Sequence, residues 1–349
     1  MDVDPGAVVA NARQVAEVSG ARLMPMVKAN GYGLGAVALT RALEALDPWG
    51  YGVASVEEGA ELRSAGIGRP VVVFTPLLPE WIGGMLRHDL RPVIDDRPVL
   101  EGWLAAAGDR PFHIGVDTGM ARAGVAFDDR AALAALRQRL DSAAGYEGVC
   151  SHFHSADADP GSMTAQHERF IGAIAALGRR PPLVHMANSA AALRGRQFAG
   201  DVVRPGIFLY GGQAGAGLPA PRTAAALRAR VVAVREIPAG ASVSYGATWQ
   251  AAGPASIATL AIGYADGFPR SLSNRGRAEL DGVVVPVRGR VTMDMTLVET
   301  NGRVRPGETA TLFGGRITLD EQAALAGTIS YELLTSLGRR VARRYGGLG

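Results

Sequence analysis

Eight short apolar runs alternating with helix-like segments, followed by β-rich runs broken by Gly and Pro, predict an α/β protein: an N-terminal (β/α)8 barrel and a mostly β C-terminal domain. Three observations carry that prediction. From Leu23 to about Ile207 the strand candidates are apolar along their whole length, as parallel strands covered on both faces are. They alternate with helical segments, which builds right-handed βαβ units, and eight such units close into a barrel. An open doubly wound sheet is the competing arrangement, but no GxGxxG opens a helix after the first run, which weakens a dinucleotide-binding reading. After Tyr210 the helical periodicity fades and a second, mostly β unit begins.

The strand candidates are Leu23–Val27, Tyr51–Ala54, Val71–Thr75, Arg91–Ile94, Phe112–Val116, Gly148–Ser151, Leu183–His185 and Val202–Arg204. Helical candidates between them include Ala36–Leu46, Val56–Ala65, Arg130–Leu140 and Thr164–Leu177. Gly211 to Gly217 reads as a flexible connection, which divides the chain into a barrel over 1–212 and a β domain over 213–349. In that second part the runs Leu227–Arg235, Ser256–Ile262, Gly282–Val287, Thr296–Glu299 and Glu308–Leu312 read as strands. Polar residues stand at the ends of the barrel runs: Lys28, Asp117, His152, Asn188 and Arg204. In a barrel that is the catalytic face, and strand termination alone does not explain all five.

The 349 residues are too many for one small core, and 48% apolar with 20% charged residues is a globular composition. A net charge of +3 gives no reason to expect nucleic acid. The basic run from Arg339 to Arg344 reads as a charged terminal segment with an arginine packed at a subunit contact. The one cysteine, Cys150, rules out an intrachain disulfide and fits a reducing compartment. It sits in an apolar run, as a small buried residue does. No basic-then-apolar leader or membrane-length run is visible, so a soluble cytoplasmic protein is expected.

The string Met26-Val27-Lys28-Ala29-Asn30-Gly31-Tyr32-Gly33-Leu34-Gly35 is the most informative segment. It sets a lysine at the end of an apolar run, before glycines that let the backbone turn sharply beside a ligand. Desolvation there favours the neutral amine, which can condense with an aldehyde cofactor. The string resembles the pyridoxal phosphate (PLP) signature of the alanine racemase family. Further matches follow in order: Asp117-Thr118-Gly119-Met120-Ala121-Arg122, Ser151-His152-Phe153, His185-Met186-Ala187-Asn188-Ser189 and Arg204-Pro205-Gly206-Ile207. Beyond the barrel come Ser244-Tyr245-Gly246-Ala247, Gly263-Tyr264-Ala265-Asp266-Gly267, Gly289-Arg290-Val291-Thr292-Met293-Asp294 and Ser330-Tyr331-Glu332. The resemblance spans nearly the whole chain, and the shared order makes chance similarity improbable.

The resemblance implies a PLP-dependent racemase of fold type III. Lys28 would hold the cofactor and serve as base on one face of the substrate α-carbon. Tyr245 of the other subunit of a homodimer would serve on the opposite face; otherwise it is an aromatic of the β-domain core. A phenol needs surroundings that stabilise its phenolate, and His152 and Arg204 are the candidates for that network. Arg204 would face the pyridine nitrogen and, not giving up its own proton, leave that nitrogen unprotonated. His185 would stand behind Arg204. Tyr32, Ser189, Gly206, Ile207 and Tyr331 would hold the phosphate, although Ser189 could equally cap the Ala-rich segment after it. Arg122 and the Met293 amide would take the substrate carboxylate. Tyr264, Asp294 and Tyr331 would narrow the entrance toward small side chains.

One departure stands out. Many members carry a lysine, often carbamylated, two residues before the Asp-Thr-Gly-Met segment, and here that position is Gly115. It leaves open a racemase for serine or another amino acid. A PLP-binding protein without turnover is the reading from another class, and the second domain argues against it. No metal is expected: His152, His154, Asp157 and Asp159 lie close in sequence, but only His152 belongs to a matched segment, and His154–Asp159 reads as a loop. L-alanine and D-alanine are the expected substrate pair, with D-alanine used for peptidoglycan.

Overall fold

A computed structural model describes residues 1–348. All eight barrel strands are present and run parallel. Tyr51–Val53, Val71–Pro76, Arg91–Ile94, Phe112–Asp117, Tyr146–Cys150 and Leu183–His185 form one sheet in chain order, and Val202–Val203 pairs with Arg22–Leu23. The two seams close through a few backbone contacts. On one side Met26 bridges Gly52; on the other Asp201 N–H donates to Val184 O (2.8 Å) and Arg204 N–H to Ala187 O (2.9 Å). The first strand is shorter than expected. Pro25 has no N–H, so the run Leu23–Val27 keeps ladder contacts on either side of it (Met24 N–H to Val203 O, Met26 N–H to Pro205 O) without a continuous strand.

Part of the barrel interior is apolar. Met24, Val72, Val93, Cys150, Leu183 and Val202 pack together inside the strands. Outside them lie the crossover helices, among them Ala36–Leu43, Val56–Ser64, Arg97–Ala107, Arg130–Leu140 and Gly161–Ala176. Their starts follow local chemistry: Ser55, Asp96 and Asp129 accept from the amides of Glu58, Val99 and Ala132. A helix before the first barrel strand, Pro5–Ser19, had no counterpart in the strand–helix count. Its buried Asn11 donates to Leu209 O and Arg222 O and accepts from Arg222 N–H, pinning the end of the barrel to the start of the second unit.

The second unit is an eight-stranded sheet built on the long strand Ala225–Ile237. The five expected runs are strands here, and Arg277–Leu280 adds a hairpin partner to Val283–Pro286. Both chain ends join it: Asp2–Val3 pairs antiparallel with Ala225 and Ala226 and parallel with Arg344–Tyr345. The first residues therefore belong to the second sheet, although the barrel follows them in sequence. The glycine-rich connection is fastened rather than flexible. Gln213 N–H donates to the Asp320 carboxylate, and the Gln213 side chain donates to Gly215 O and Leu218 O. The basic terminal run is also held within the chain, Arg343 donating to the carbonyls of Gly33, Leu337 and Gly338.

Candidate active site

A cavity of about 570 Å³ opens at the C-terminal ends of the barrel strands. It is lined by Lys28, Tyr32, Arg122, His152, Ser189 and Arg204, with Gly206, Ile207 and Tyr331. His185 lies directly behind Arg204. Met293, Tyr245, Tyr264 and Asp294 do not reach this cavity from the same chain. Tyr245 is 74% exposed, Met293 53% and Tyr264 43%, all on the second unit. Asp294 is paired with Arg340 at 2.8 Å.

Lys28 is placed by an unusual turn. Ala29, Asn30 and Tyr32 have φ of 51°, 54° and 53°, and Gly31 between them 60°, so one left-handed turn follows the lysine. Such a turn costs L-residues about 1–2 kcal/mol each. It is held from three sides. The two Glu58 oxygens accept from Ala29 N–H and Ala54 N–H, both at 2.7 Å. Asn30 Oδ1 accepts from Ala36 N–H at 2.9 Å. Gly33, at φ 82°, packs so tightly that a Cβ there would overlap the Leu334 carbonyl. The Lys28 amine is pushed below its usual range by burial first and then by the nearby Arg122 charge; Glu58 opposes this and Arg204 adds to it.

Arg204 is almost fully buried, and each of its contacts has a clear sense. Nη1 donates to His185 Nδ1 (2.8 Å) and His185 O (2.7 Å). Nη2 donates to Ser151 O (2.6 Å) and approaches His152 Nδ1 at 3.2 Å and Met186 O at 3.3 Å. The guanidinium lies over the Phe74 ring, 5.2 Å from its centroid. Burial lowers its pKa to about 10, which leaves it charged at neutral pH. His152 is held neutral, its pKa lowered to about 3 by burial and by Arg204, Arg122 and Lys28. Since its Nδ1 accepts from Arg204, its proton sits on Nε2.

Opposite Lys28, a small cradle forms around Gly206. Ser189 Oγ accepts from Gly206 N–H at 2.8 Å, and a Cβ at Gly206 would overlap the Tyr32 hydroxyl. Ile207 opens a 3-10 turn, so its N–H has no acceptor within the turn. The helix cap is not Ser189: Asn188 Oδ1 takes Ala191 N–H at 3.0 Å, which leaves the Ser189 hydroxyl to Gly206. Tyr32 stacks on Tyr210 at 4.6 Å, and Tyr210 in turn donates to Met26 O. The Tyr331 hydroxyl is pushed up to about 12 by burial and by Asp157 and Asp320, so it stays a donor.

Several contributors lay outside the sequence assignments. Glu58 is one; its only signal was a place in the first turn of a helix, where carboxylates are common. Asp117, noticed at a strand end, accepts from Gly119 N–H and Met120 N–H and shapes the loop carrying Arg122. Asp95 accepts from Gly124 N–H at 3.2 Å in the same cavity. At Gly115, which lines the cavity, a Cβ would stand 3.0 Å from Val93 Cγ1 and 3.6 Å from Gly124 Cα. His154–Asp159 is a loop, and Cys150 is buried.

The fold and the cavity define a barrel enzyme with a buried lysine of lowered pKa at its catalytic face. The chain belongs to the alanine racemase family: residues 3–214 match "Alanine racemase, N-terminal domain" and residues 224–345 match "Alanine racemase, C-terminal domain". It is 40% identical to an alanine racemase of Acidiphilium cryptum, over 98% of this chain and 97% of that one. Among solved structures, the biosynthetic alanine racemase of Pseudomonas aeruginosa superposes with a TM-score of 0.90 at 34% identity, covering 99% of this chain and 98% of the other. An alanine racemase of Bartonella henselae with covalently bound pyridoxal phosphate gives 0.91 at 31% identity, over 99% and 98%.

Proposed function

We propose that this chain is a PLP-dependent racemase that interconverts L-alanine and D-alanine, working as a cytoplasmic homodimer whose product serves peptidoglycan. One observation carries the reading: a lysine held toward its neutral form shares a cavity with the buried Arg204 and with the Ser189–Gly206–Ile207 cradle. The cavity suits the cofactor. Both Arg204 Nη atoms are occupied by the protein, whereas Nε–H has no acceptor among the described residues and is the donor left for a pyridine nitrogen. The cradle offers a phosphate the Ser189 hydroxyl, the Ile207 N–H and the Tyr32 phenol, which packs where a side chain on Gly206 would lie.

Lys28 is the attachment point, and Tyr32, Ser189, Gly206, Ile207 and Tyr331 hold the phosphate. When bound, PLP supplies an electron sink for the pair left behind when the α-proton departs. The remaining work falls to the protein. Lys28, its pKa lowered by burial, takes or returns a proton on one face. Tyr245 of the second subunit does so on the other face, which its exposure on this chain's surface supports. His152, neutral and carrying its proton on Nε2, presents a donor into the cavity rather than a second cation. Arg122 and the Met293 amide of the second subunit bind the substrate carboxylate. Tyr264 and Asp294 of that subunit, with Tyr331, narrow the entrance. This division also supports the boundary near residue 212, with the second unit completing a neighbour's site.

The test is exchange in D2O. The PLP-loaded protein is incubated with L-alanine and, separately, L-serine; proton NMR follows loss of the α-proton and chiral chromatography follows the D-product. Exchange with D-alanine formation is expected. Gly115 lines the cavity and brings no charged side chain to it, which favours a second reading, racemisation of another small amino acid, and faster exchange with serine would select it. No exchange with either, from a PLP-loaded dimer, would leave a cofactor-binding protein without turnover.

A further inference from the structure

Behind Arg204 a chain of hydrogen bonds runs down the barrel interior. His185 Nε2 lies 2.7 Å from His113 Nδ1, and His113 Nε2 lies 3.1 Å from Glu147 Oε2. Glu147 Oε2 also accepts from Arg91 Nε at 2.7 Å. Both imidazoles are fully buried. Arg91 and Glu147 stand at the starts of their strands, so the chain spans the lumen from its lower end to the catalytic face.

The donors and acceptors fix its direction. A guanidinium only donates, so His185 Nδ1 must accept from Arg204 and the ring proton must sit on Nε2. That proton can only go to His113 Nδ1, which places the His113 proton on Nε2, facing a carboxylate that only accepts. Every bond in the chain is satisfied in this one arrangement. Shifting either proton, or adding one, sets two donors against each other inside a dry core. Burial first, and the Arg204 charge after it, push both imidazoles below their usual range, with Glu147 opposing this at His113, consistent with neutral rings. The Glu147 carboxyl is lowered despite burial, because the His113 hydrogen bond and the Arg91 charge outweigh it.

We propose that Glu147 is a positioning residue for Arg204: as the acceptor that ends the chain, it supports from the far side the same ring tautomers that the guanidinium requires from the near side, so that a bare His185 Nδ1 holds the guanidinium and keeps its Nε–H aimed into the cavity. The tautomer assignment stands on the protein alone. Only its consequence for the cofactor rests on the proposed function.

The experiment is long-range ¹H–¹⁵N NMR on protein labelled at its six histidines, first without cofactor. His113 and His185 are expected as single Nε2–H tautomers. A proton on Nδ1 of His185 in the unaltered protein would overturn the proposal, and this measurement needs no variant. In Glu147→Gln the amide oxygen can still accept from His113 and Arg91, so both tautomers should persist. In Glu147→Leu the acceptor is gone, and signals from the second tautomer should appear at both rings. On PLP-loaded protein, the visible absorbance should follow the same order: a pH profile unchanged in Glu147→Gln and displaced in Glu147→Leu. Turnover should fall about tenfold in Glu147→Leu, the equivalent of one lost hydrogen bond. A folded Glu147→Leu protein with single tautomers and an unmoved profile would refute the assignment. If tautomers change but the protein never exchanges an α-proton, the positioning claim survives and the proposed function fails.

Discussion

Removing the Glu58 carboxylate should loosen the turn that presents Lys28. The turn stores about 2–4 kcal/mol of backbone strain at Ala29 and Tyr32 together, at roughly 1–2 kcal/mol per residue, Asn30 tolerating the left-handed region. It persists because hydrogen bonds over-determine it, and Glu58 supplies two of them at 2.7 Å. A charge-assisted bond is worth about 1.5–3 kcal/mol when dry. The Ala29 end is exposed and the Ala54 end only half-buried, so water recovers part of each. Glu58→Ala should therefore cost about 2 kcal/mol in urea unfolding of the cofactor-free protein, below two fully buried charge-assisted bonds. Glu58→Gln separates charge from geometry. It keeps one accepting oxygen but loses the negative charge that raises the Lys28 pKa, so the amine should titrate lower than in the unaltered protein. The pH dependence of PLP attachment, followed by visible absorbance, reads that shift. If Glu58→Ala left the unfolding free energy within about 0.5 kcal/mol, the level of an inert surface substitution, and Lys28 titration unmoved, then the remaining bonds hold the turn and the reasoning is wrong.

Three further outcomes follow. His152 has a folded pKa of about 3 against a usual 6.5, so between those values the unfolded chain binds a proton that the folded one refuses; stability should fall with falling pH from about 6.5, by up to ~1.4 kcal/mol per pH unit from this ring, as acid-induced unfolding would show. Cys150 is buried with its thiol pushed up to about 11, so a thiol reagent at neutral pH should label it only after denaturant is added. Tyr245→Phe should abolish D-alanine formation by the proposed shared site without lowering stability, because the side chain is 74% exposed on its own chain. Dilution to monomer should have the same effect, and full activity in a monomer shown by light scattering would count against that site.

Much of the architecture was readable because barrel strands are local events. A continuous apolar run such as Val71–Pro76 needs no distant partner to be recognised, and Ser55 or Asp129 marks a helix start within three residues. Helix Pro5–Ser19 also carried its signals, an Asp4 cap and a Gly20 stop at φ 64°, but it precedes the first strand and fell outside the alternation. The ordered matches from Lys28 to Tyr331 placed the candidate side chains before any contact was known. They did not reveal what holds them. Glu58 reaches Ala29 across 29 residues and Glu147 reaches His113 across 34.

By itself the sequence determined the barrel, the β-rich second unit, the family and the set of polar residues at the strand ends, because those follow from periodicity and from strings of neighbours. Only the tertiary structure decided the left-handed turn after Lys28, the neutral state of His152 and the one-way hydrogen-bond chain behind Arg204. Each depends on desolvation or on a partner that is remote along the chain, and such quantities exist only once the chain has packed.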